Sequence, residues 1–391
     1  MYCAIPEPHQ PTKTIPSVET TRYRPAATTL AQMTTIGVGG KVANVENVAS
    51  REEFIDAIRS ADEAQRELLV VGGGSNILAS DADFSGVVVH DTRADIEILS
   101  EDFCGGARMR VAAGTPWDDV VVFAIEHGWM GLESLSGIPG TAGAAPVQNI
   151  GAYGADASGV IASVRTYDRK TAQQRTFFLS DLDFGYRHSV LKQSILDSEW
   201  GNSPRWIVLD VDFHLRLATL GEPIRYAQLA QHLGVEVGSR VPANDVRAAV
   251  LELRRSKGMV LDDADRDTYS LGSFFTNPVL NEKLAEQLPA DAPRFAVANN
   301  AAINQIGAAA PKIPGQVKTS AAWLITHAGF DRGYGLPNAA ALSTKHALAL
   351  TNRGAAKAED IANLAREIRD GVFQKFGVEL VPEPVTVGIE I

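Results

Sequence analysis

The sequence predicts an α+β or mixed α/β fold with at least two domains, and three observations carry that expectation. Strand-like and helix-like apolar spacings alternate through the first two thirds of the chain, and helical spacing dominates afterwards. The 391 residues are 45% hydrophobic, enough for two or three cores at roughly 100–200 residues per domain. The 34 glycines are clustered, with two dense runs set among the expected elements.

Met1 to Pro25 carries scattered prolines and threonines and no apolar run, so it reads as a disordered leader rather than a signal peptide. Ser50-Arg51-Glu52-Glu53 is a capping box, and it opens a helix with Phe54, Ile58 and Ala61 on one face. Leu68 to Val71 is a short buried strand, followed by the first glycine run and a second strand at Gly86–Val89. Met109, Val111 and Ala113 alternate as a strand. Thr115-Pro116 then opens a helix, with proline at its first position, Asp118 in the first turn and Gly128 as the stop. The second glycine run spans 131–154. Ile207, Leu209, Val211, Phe213 and Leu215 alternate with polar residues as a half-buried strand, and Asn244 caps a helix bearing Val246, Val250 and Leu253. Residues 289–316, rich in Ala, Pro and Asn, read as a loop or insertion. Ile361, Leu364, Ala365, Ile368 and Val372 have helical spacing, and Val385 to Ile391 reads as a terminal strand.

Lys and Arg number 36 against 47 Asp and Glu, for a net charge of −11. Like charge repels, so neither nucleic acid nor an anionic membrane is an expected partner, and any anionic ligand must be held by local donors. No apolar run reaches the ~20 residues of a membrane span. Cys3 and Cys104 are too few for a disulfide framework or a cysteine metal site, and the eight histidines lack metal-ligand spacing. The expectation is a cytoplasmic protein without a metal.

Val71-Gly72-Gly73-Gly74-Ser75-Asn76 follows a strand. Consecutive glycines let a backbone approach a ligand and form an anion-binding nest, but a plain glycine-rich turn would look the same. A dinucleotide fingerprint fits poorly, because Ile77 stands where a third glycine is needed, and no Gly-Lys-Ser/Thr follows for a phosphate loop. The second run, Ser134 to Gly154, is long and almost uncharged. Gln148 and Asn149 offer amides to a polar ring edge; the bland reading is a buried small-residue turn, which is rarely so rich in amides and aromatics.

These two runs, with Phe184-Gly185-Tyr186-Arg187-His188-Ser189, Gly272-Ser273-Phe274-Phe275-Thr276-Asn277-Pro278 and Glu383 near the C-terminus, resemble the UDP-N-acetylenolpyruvoylglucosamine reductase (MurB) family over about residues 28–391. The resemblance implies a vanillyl-alcohol-oxidase-type (PCMH-like) FAD-binding module of two α+β subdomains plus a C-terminal α+β substrate domain. The implied division is a leader at 1–25, a first FAD subdomain at 26–95 completed by 378–391, a second at 96–258, and a substrate domain at 259–377 with an insertion at 295–316. It implies noncovalent FAD, since the first glycine run has no histidine for a covalent link, and NADPH as co-substrate. FAD contacts would come from Val71, Gly72, Gly73, Gly74, Ser75 and Asn76, then from Ser136, Ile138, Pro139, Gly140, Gln148, Asn149, Gly151, Tyr153 and Gly154.

The implied reaction reduces the enolpyruvyl ether of a UDP-sugar to the lactyl ether of UDP-N-acetylmuramate in peptidoglycan precursor synthesis. Hydride adds to the terminal enolpyruvyl carbon, and charge develops on the next carbon and spreads into the carboxylate. That carboxylate needs a fixed cation, the role implied for Arg187. Glu383 matches the family's acid, which would donate when protonated. Here Glu383-Pro384-Val385 replaces the usual Glu-Val-basic pattern, and proline removes a backbone donor. Ser273 matches the proton donor to carbon, with Phe274 and Phe275 excluding water.

Tyr226 matches a tyrosine on a closing loop found in one subclass, and Lys257 and Asn277 match diphosphate contacts. Ser343-Thr344-Lys345-His346-Ala347-Leu348 also resembles the family, with no chemistry assigned. A monomer or weak oligomer is expected. Two other readings compete: a flavin oxidase of the same superfold acting on a sugar or alcohol, and a nucleotide-binding module without catalysis.

Overall fold

The computed structural model describes residues 15–197, 199–299 and 311–391. The first unit is a parallel sheet ordered Val42–Val48, Phe84–Asp91, Leu68–Val70. Its covering helix, Arg51–Glu63, begins as expected: the Ser50 hydroxyl accepts from the Glu53 amide while the Glu53 side chain takes the Ser50 amide. Phe54, Ile58 and Ala61 on its inner face pack on Val48, Leu68, Val87 and Val89.

The C-terminus returns to this unit. Val385–Val387 pairs in parallel with Ile77–Ala79, the strand that follows the first glycine run. The strand is shorter than expected because its partner has three residues and Gly388, at φ +64°, turns the chain away.

The second unit is a six-stranded antiparallel sheet running Gln173–Phe178, Ile161–Asp168, Trp206–Leu217, Gly106–Ala112, Ile96–Asp102, with Trp129–Met130 against the end of its longest strand. Helix Trp117–Glu126 packs on it over Trp117, Trp129 and Phe213. Pro116 is the residue before this helix rather than its first. The 207–215 strand is buried on both faces, not half-buried. Asp210 and Asp212, the polar partners in its alternation, are buried because Arg51 and Arg93 pair with the first and Arg110 with the second.

Helix Ala243–Ser256 starts one residue before Asn244. Pro242 supplies the turn, its carbonyl accepting from Asp245 and Val246, so Asn244 lies inside the first turn and does not cap it.

The third unit packs helices Ala321–His327 and Ala358–Phe376 on a small sheet, Val279–Asn281, Lys312–Lys318, Phe295–Ala298, and on the hairpin Ala340–Leu342/Leu350–Asn352. The expected loop or insertion at 289–316 thus contains strand, with Lys318 paired to both Val279 and Phe295; residues 300–310 lie outside the described residues.

Residues 15–25 are not a disordered leader. Tyr23 and Thr20 are buried; the backbone from Ile15 to Thr20 bonds to the second unit, and the Thr21 and Arg22 side chains bond to the first and third. The rest of that expectation, residues 1–14, lies outside the described residues. Among the described residues no helix is long and apolar enough to cross a membrane, and no group of three or more His, Cys, Asp or Glu could hold a metal ion.

Candidate active site

The site is built around a tight turn. Gly185 and His188 exchange backbone bonds of 3.0 and 3.3 Å, which throws Arg187 into a left-handed conformation at φ +54°. A non-glycine residue held there is strained, and such strain marks positions that the surroundings over-determine. The surroundings here are the second glycine run. Arg187 Nη2 donates to Gly151 O at 2.9 Å and Nη1 to Asn149 O at 3.3 Å. Its Nε lies 3.2 Å from Glu383 Oε1 but its N–H is aligned with no acceptor. The guanidinium is therefore fixed in place with one donor still unsatisfied.

Glu383 is buried and fixed by backbone pairing. Its N–H donates to Phe274 O at 2.8 Å, Thr276 N donates to Val381 O, and Phe275 bridges Pro382. Val385 N donates to Asn76 O at 2.9 Å. The amides on both sides of Pro384 are thus bonded, so the missing proline donor does not loosen Glu383. The same pairing ties Ser273, half-buried and directly before the buried Phe274 and Phe275, to the Glu383 strand.

Asn76 joins this group to the first glycine run: its Nδ2 donates to Gln148 Oε1 at 2.8 Å and to Glu383 O at 3.3 Å. No described residue accepts a hydrogen bond from the backbone N–H groups of Gly72, Gly73, Gly74, Ser75 or Asn76. Consecutive unpaired amides form a nest for an anion such as a diphosphate. The glycines themselves are needed for the protein's own packing. A Cβ on Gly74, at φ +62°, would stand 1.8 Å from Met33 O, and one on Gly73 would stand 2.7 Å from Gly140 Cα.

The second run is spent differently. Gly140 N donates to Thr20 O and its carbonyl accepts from Trp117 N, Ser136 Oγ donates to Glu133 O, and Pro139 O accepts from Ser75 Oγ. The Asn149 amide, expected to address a ring edge, instead donates to Gly185 O and accepts from Ser158 N. Val71 N bonds Val89 O, so it extends the strand. Ile138, between Gly137 and Pro139, is half-buried.

A second group gathers around Tyr153, itself left-handed at φ +50°. The Tyr226 ring meets Tyr153 edge-on at 5.6 Å, and Tyr226 precedes helix Ala227–Leu233. Exposed Gly154 lies against Arg225, one residue before Tyr226. Lys257 Nζ lies 5.6 Å from the Tyr153 ring centre and donates to Gln228 Oε1 at 2.7 Å. Burial, reinforced by Arg254, pushes the Lys257 ammonium below its usual range; burial also pushes Arg254 down to about 10. Asn277 lies apart from Lys257, under the Arg187 turn. Its N–H donates to Tyr186 Oη at 3.2 Å and its Oδ1 accepts from Ala321 N, so that oxygen is spent on starting a helix.

Several residues have no role in the sequence-based assignment. Lys192, on helix Val190–Leu196, donates from Nζ to Glu383 O at 3.4 Å; Lys318 Nζ stands 4.4 Å from the Tyr186 ring centre. Burial first, then Arg187, lowers both ammonium pKa values. His346 is pushed down to about 4 by burial and then by Lys257 and Arg254. Tyr186, Lys318 and His346 fall within or beside motifs singled out from the sequence, but no local signal shows where they point. Lys192 and Arg254 sit on helices whose pattern gives no sign of a site. The result is a concentration of partly desolvated cations in a chain of net charge −11.

Comparison with known proteins fits this geometry. Residues 42–171 match the family model described as an FAD binding domain. Residues 264–387 match that of the UDP-N-acetylenolpyruvoylglucosamine reductase C-terminal domain. The protein of that name from Cutibacterium acnes is 45% identical over 366 residues, covering 93% of this chain and 90% of the relative. That from Thermobifida fusca is 46% identical over 362 residues, covering 93% and 97%. The chain belongs to the UDP-N-acetylenolpyruvoylglucosamine reductase family. A solved family structure, from Thermus caldophilus, has the same fold at 23% identity, with a TM-score of 0.59 over 92% of this chain and 97% of the other. The unpaired amides at 72–76 fit the diphosphate of the family's FAD: the donors are neutral, consecutive and open.

Proposed function

We propose that this chain uses FAD and NADPH to reduce the enolpyruvyl ether of UDP-N-acetylglucosamine to UDP-N-acetylmuramate, a step of peptidoglycan precursor synthesis. The observation that carries this reading is the Arg187–Glu383 pair, which is held by the Asn76 end of the amide nest and by the backbone of the Ser273-Phe274 segment.

Bound FAD, reduced by NADPH, supplies the hydride. Arg187 holds the substrate carboxylate as charge spreads into it, and two peptide carbonyls pre-orient the guanidinium so that little reorganisation is needed. Glu383, when protonated, donates to the developing enolate oxygen. Ser273 delivers the proton to carbon, with the buried Phe274 and Phe275 keeping competing water away. Lys257 and Tyr226, gathered around Tyr153, hold the nucleotide diphosphate, and Asn277, on the Arg187 side, offers its side-chain amide to the substrate. A flavin oxidase of a neutral sugar or alcohol would have no use for Arg187, Lys192, Lys257 and Lys318 together.

The test separates the half-reactions. Ser273→Ala should leave flavin bleaching by NADPH within about threefold of wild type and slow re-oxidation by the enolpyruvyl nucleotide by about 10²–10⁴. Equal loss of both half-reactions would remove Ser273 from the proton-transfer role.

A further inference from the structure

The segment 15–24 crosses the seam where the two glycine runs meet, and a series of hydrogen bonds fixes it there. Ile15 N donates to Glu126, and Val18 N donates to Asp118 Oδ2 at 2.7 Å. Asp118 is itself fully buried in a two-bond pair with Arg247, whose guanidinium also donates to Pro16 O. Thr20 O accepts from Gly140 N at 2.7 Å, and Thr21 Oγ1 donates to Gly73 O at 3.3 Å. Arg22 donates to Thr35 O at 2.8 Å and Thr268 O at 3.0 Å and lies 3.8 Å from the Tyr269 ring centre. The strap is thus bonded to both glycine runs and to all three units.

One group on it stands out. Thr20 is 2% exposed, and its hydroxyl has no partner among the described residues. A buried unpaired hydroxyl is costly, and a residue kept in such a place usually has a partner to meet. Thr20 lies directly on Gly73: a Cβ there would come within 2.9 Å of Thr20 O. Five unpaired N–H donors and one unpaired O–H donor therefore share one seam, and together they complement a ligand that presents only acceptor oxygens.

We propose that Thr20 is a cofactor ligand. Its hydroxyl donates to the diphosphate of bound FAD, and residues 15–24 form a third wall of the cradle beside the two glycine runs. This rests on the reading of residues 72–76 as the FAD diphosphate site. Arg22 and Asp118 are positioning residues in this arrangement: they fix the strap on either side of Thr20 and touch no ligand.

The test measures FAD release on dilution of the holoenzyme, read by recovery of flavin fluorescence, for wild type, Thr20→Val and Thr20→Ser. Valine keeps the shape and removes the hydroxyl; serine keeps the hydroxyl. Thr20→Val should raise the FAD dissociation constant about tenfold, the size expected for one hydrogen bond to a charged group, and Thr20→Ser should stay within about threefold of wild type. The apoprotein of Thr20→Val should melt no lower than wild-type apoprotein, because an unpaired hydroxyl has been removed. Unchanged FAD release in Thr20→Val would overturn the proposal, and so would equal weakening in both variants, which would assign the effect to strap packing. Failure of wild type to retain FAD would instead overturn the reading of the 72–76 cradle.

Discussion

Two regions of this molecule present donors suited to negative charge, and the donors differ in chemistry. At residues 72–76 the donors are backbone amides, neutral dipoles that no pH in the working range can remove. Around Arg187, Lys192, Lys257 and Lys318 the donors are side-chain cations, and burial lowers the pKa of each of the three lysines. The first device suits a cofactor that stays bound through many turnovers. The second suits a ligand that must enter, react and leave, because strong but partly desolvated cations respond to what arrives. The difference also bears on an apparent conflict: in a chain of net charge −11, neutral amides offer an anionic cofactor donors without spending positive charge.

The amide device depends on backbone shape, so breaking that shape should have the largest effect. Gly74→Ala places a methyl 1.8 Å from Met33 O at a left-handed position, where two backbones would have to separate. The expected outcome is a destabilisation of about 3 kcal/mol or more, with purified protein lacking flavin. Thermal melting and flavin content measure it. A stable Gly74→Ala protein with normal flavin content would mean that the loop can present its amides without the close approach of Gly74 to Met33.

How much of this can be read from the sequence follows from the range of each interaction. The helix at 51–63 is legible because its capping box and apolar face are local. The glycine runs are legible as sites but not in their division of labour, since consumption of Gly140 N by Thr20 O is a tertiary fact. Arg187, Ser273 and Glu383 come from family motifs, and the structure brings Arg187 and Glu383 into contact. The strap is where the sequence misleads: threonine and proline content suggests a leader, while its order comes from partners such as Thr268, which is 246 residues from Arg22. Asp210 and Asp212 show the same limit, because alternation assigns them to solvent and only distant arginines explain their burial.

The cation device makes the opposite prediction from the amide device, namely sensitivity to pH. Lys257 loses its proton as pH rises through a pKa depressed below 10.5, so nucleotide binding should weaken on the alkaline side earlier than for an exposed lysine. Lys257→Met should raise KM for the UDP-sugar about 10–100-fold, flatten that alkaline limb, and leave FAD content unchanged. A matching loss of FAD would mean that the two regions are not separate devices.

The smallest effect is expected at His346, beside the same cations. Burial, with Lys257 and Arg254, holds its folded pKa at about 4, below the usual 6.5. As pH falls from about 6.5 to about 4, the unfolded chain takes up a proton here that the folded chain refuses, so stability falls across that window. Below it both states are protonated and the loss is complete. Carboxylates titrate in the same range, so the informative quantity is the difference between wild type and His346→Gln. Glutamine cannot take up the proton, and its urea-unfolding free energy should therefore fall less between those limits. The half-buried ring and solvent screening reduce the expected difference to about 1 kcal/mol. Parallel curves for the two proteins would mean that neither burial nor the field of Lys257 and Arg254 holds the His346 proton off, and the cations beside it would then act on their ligand alone.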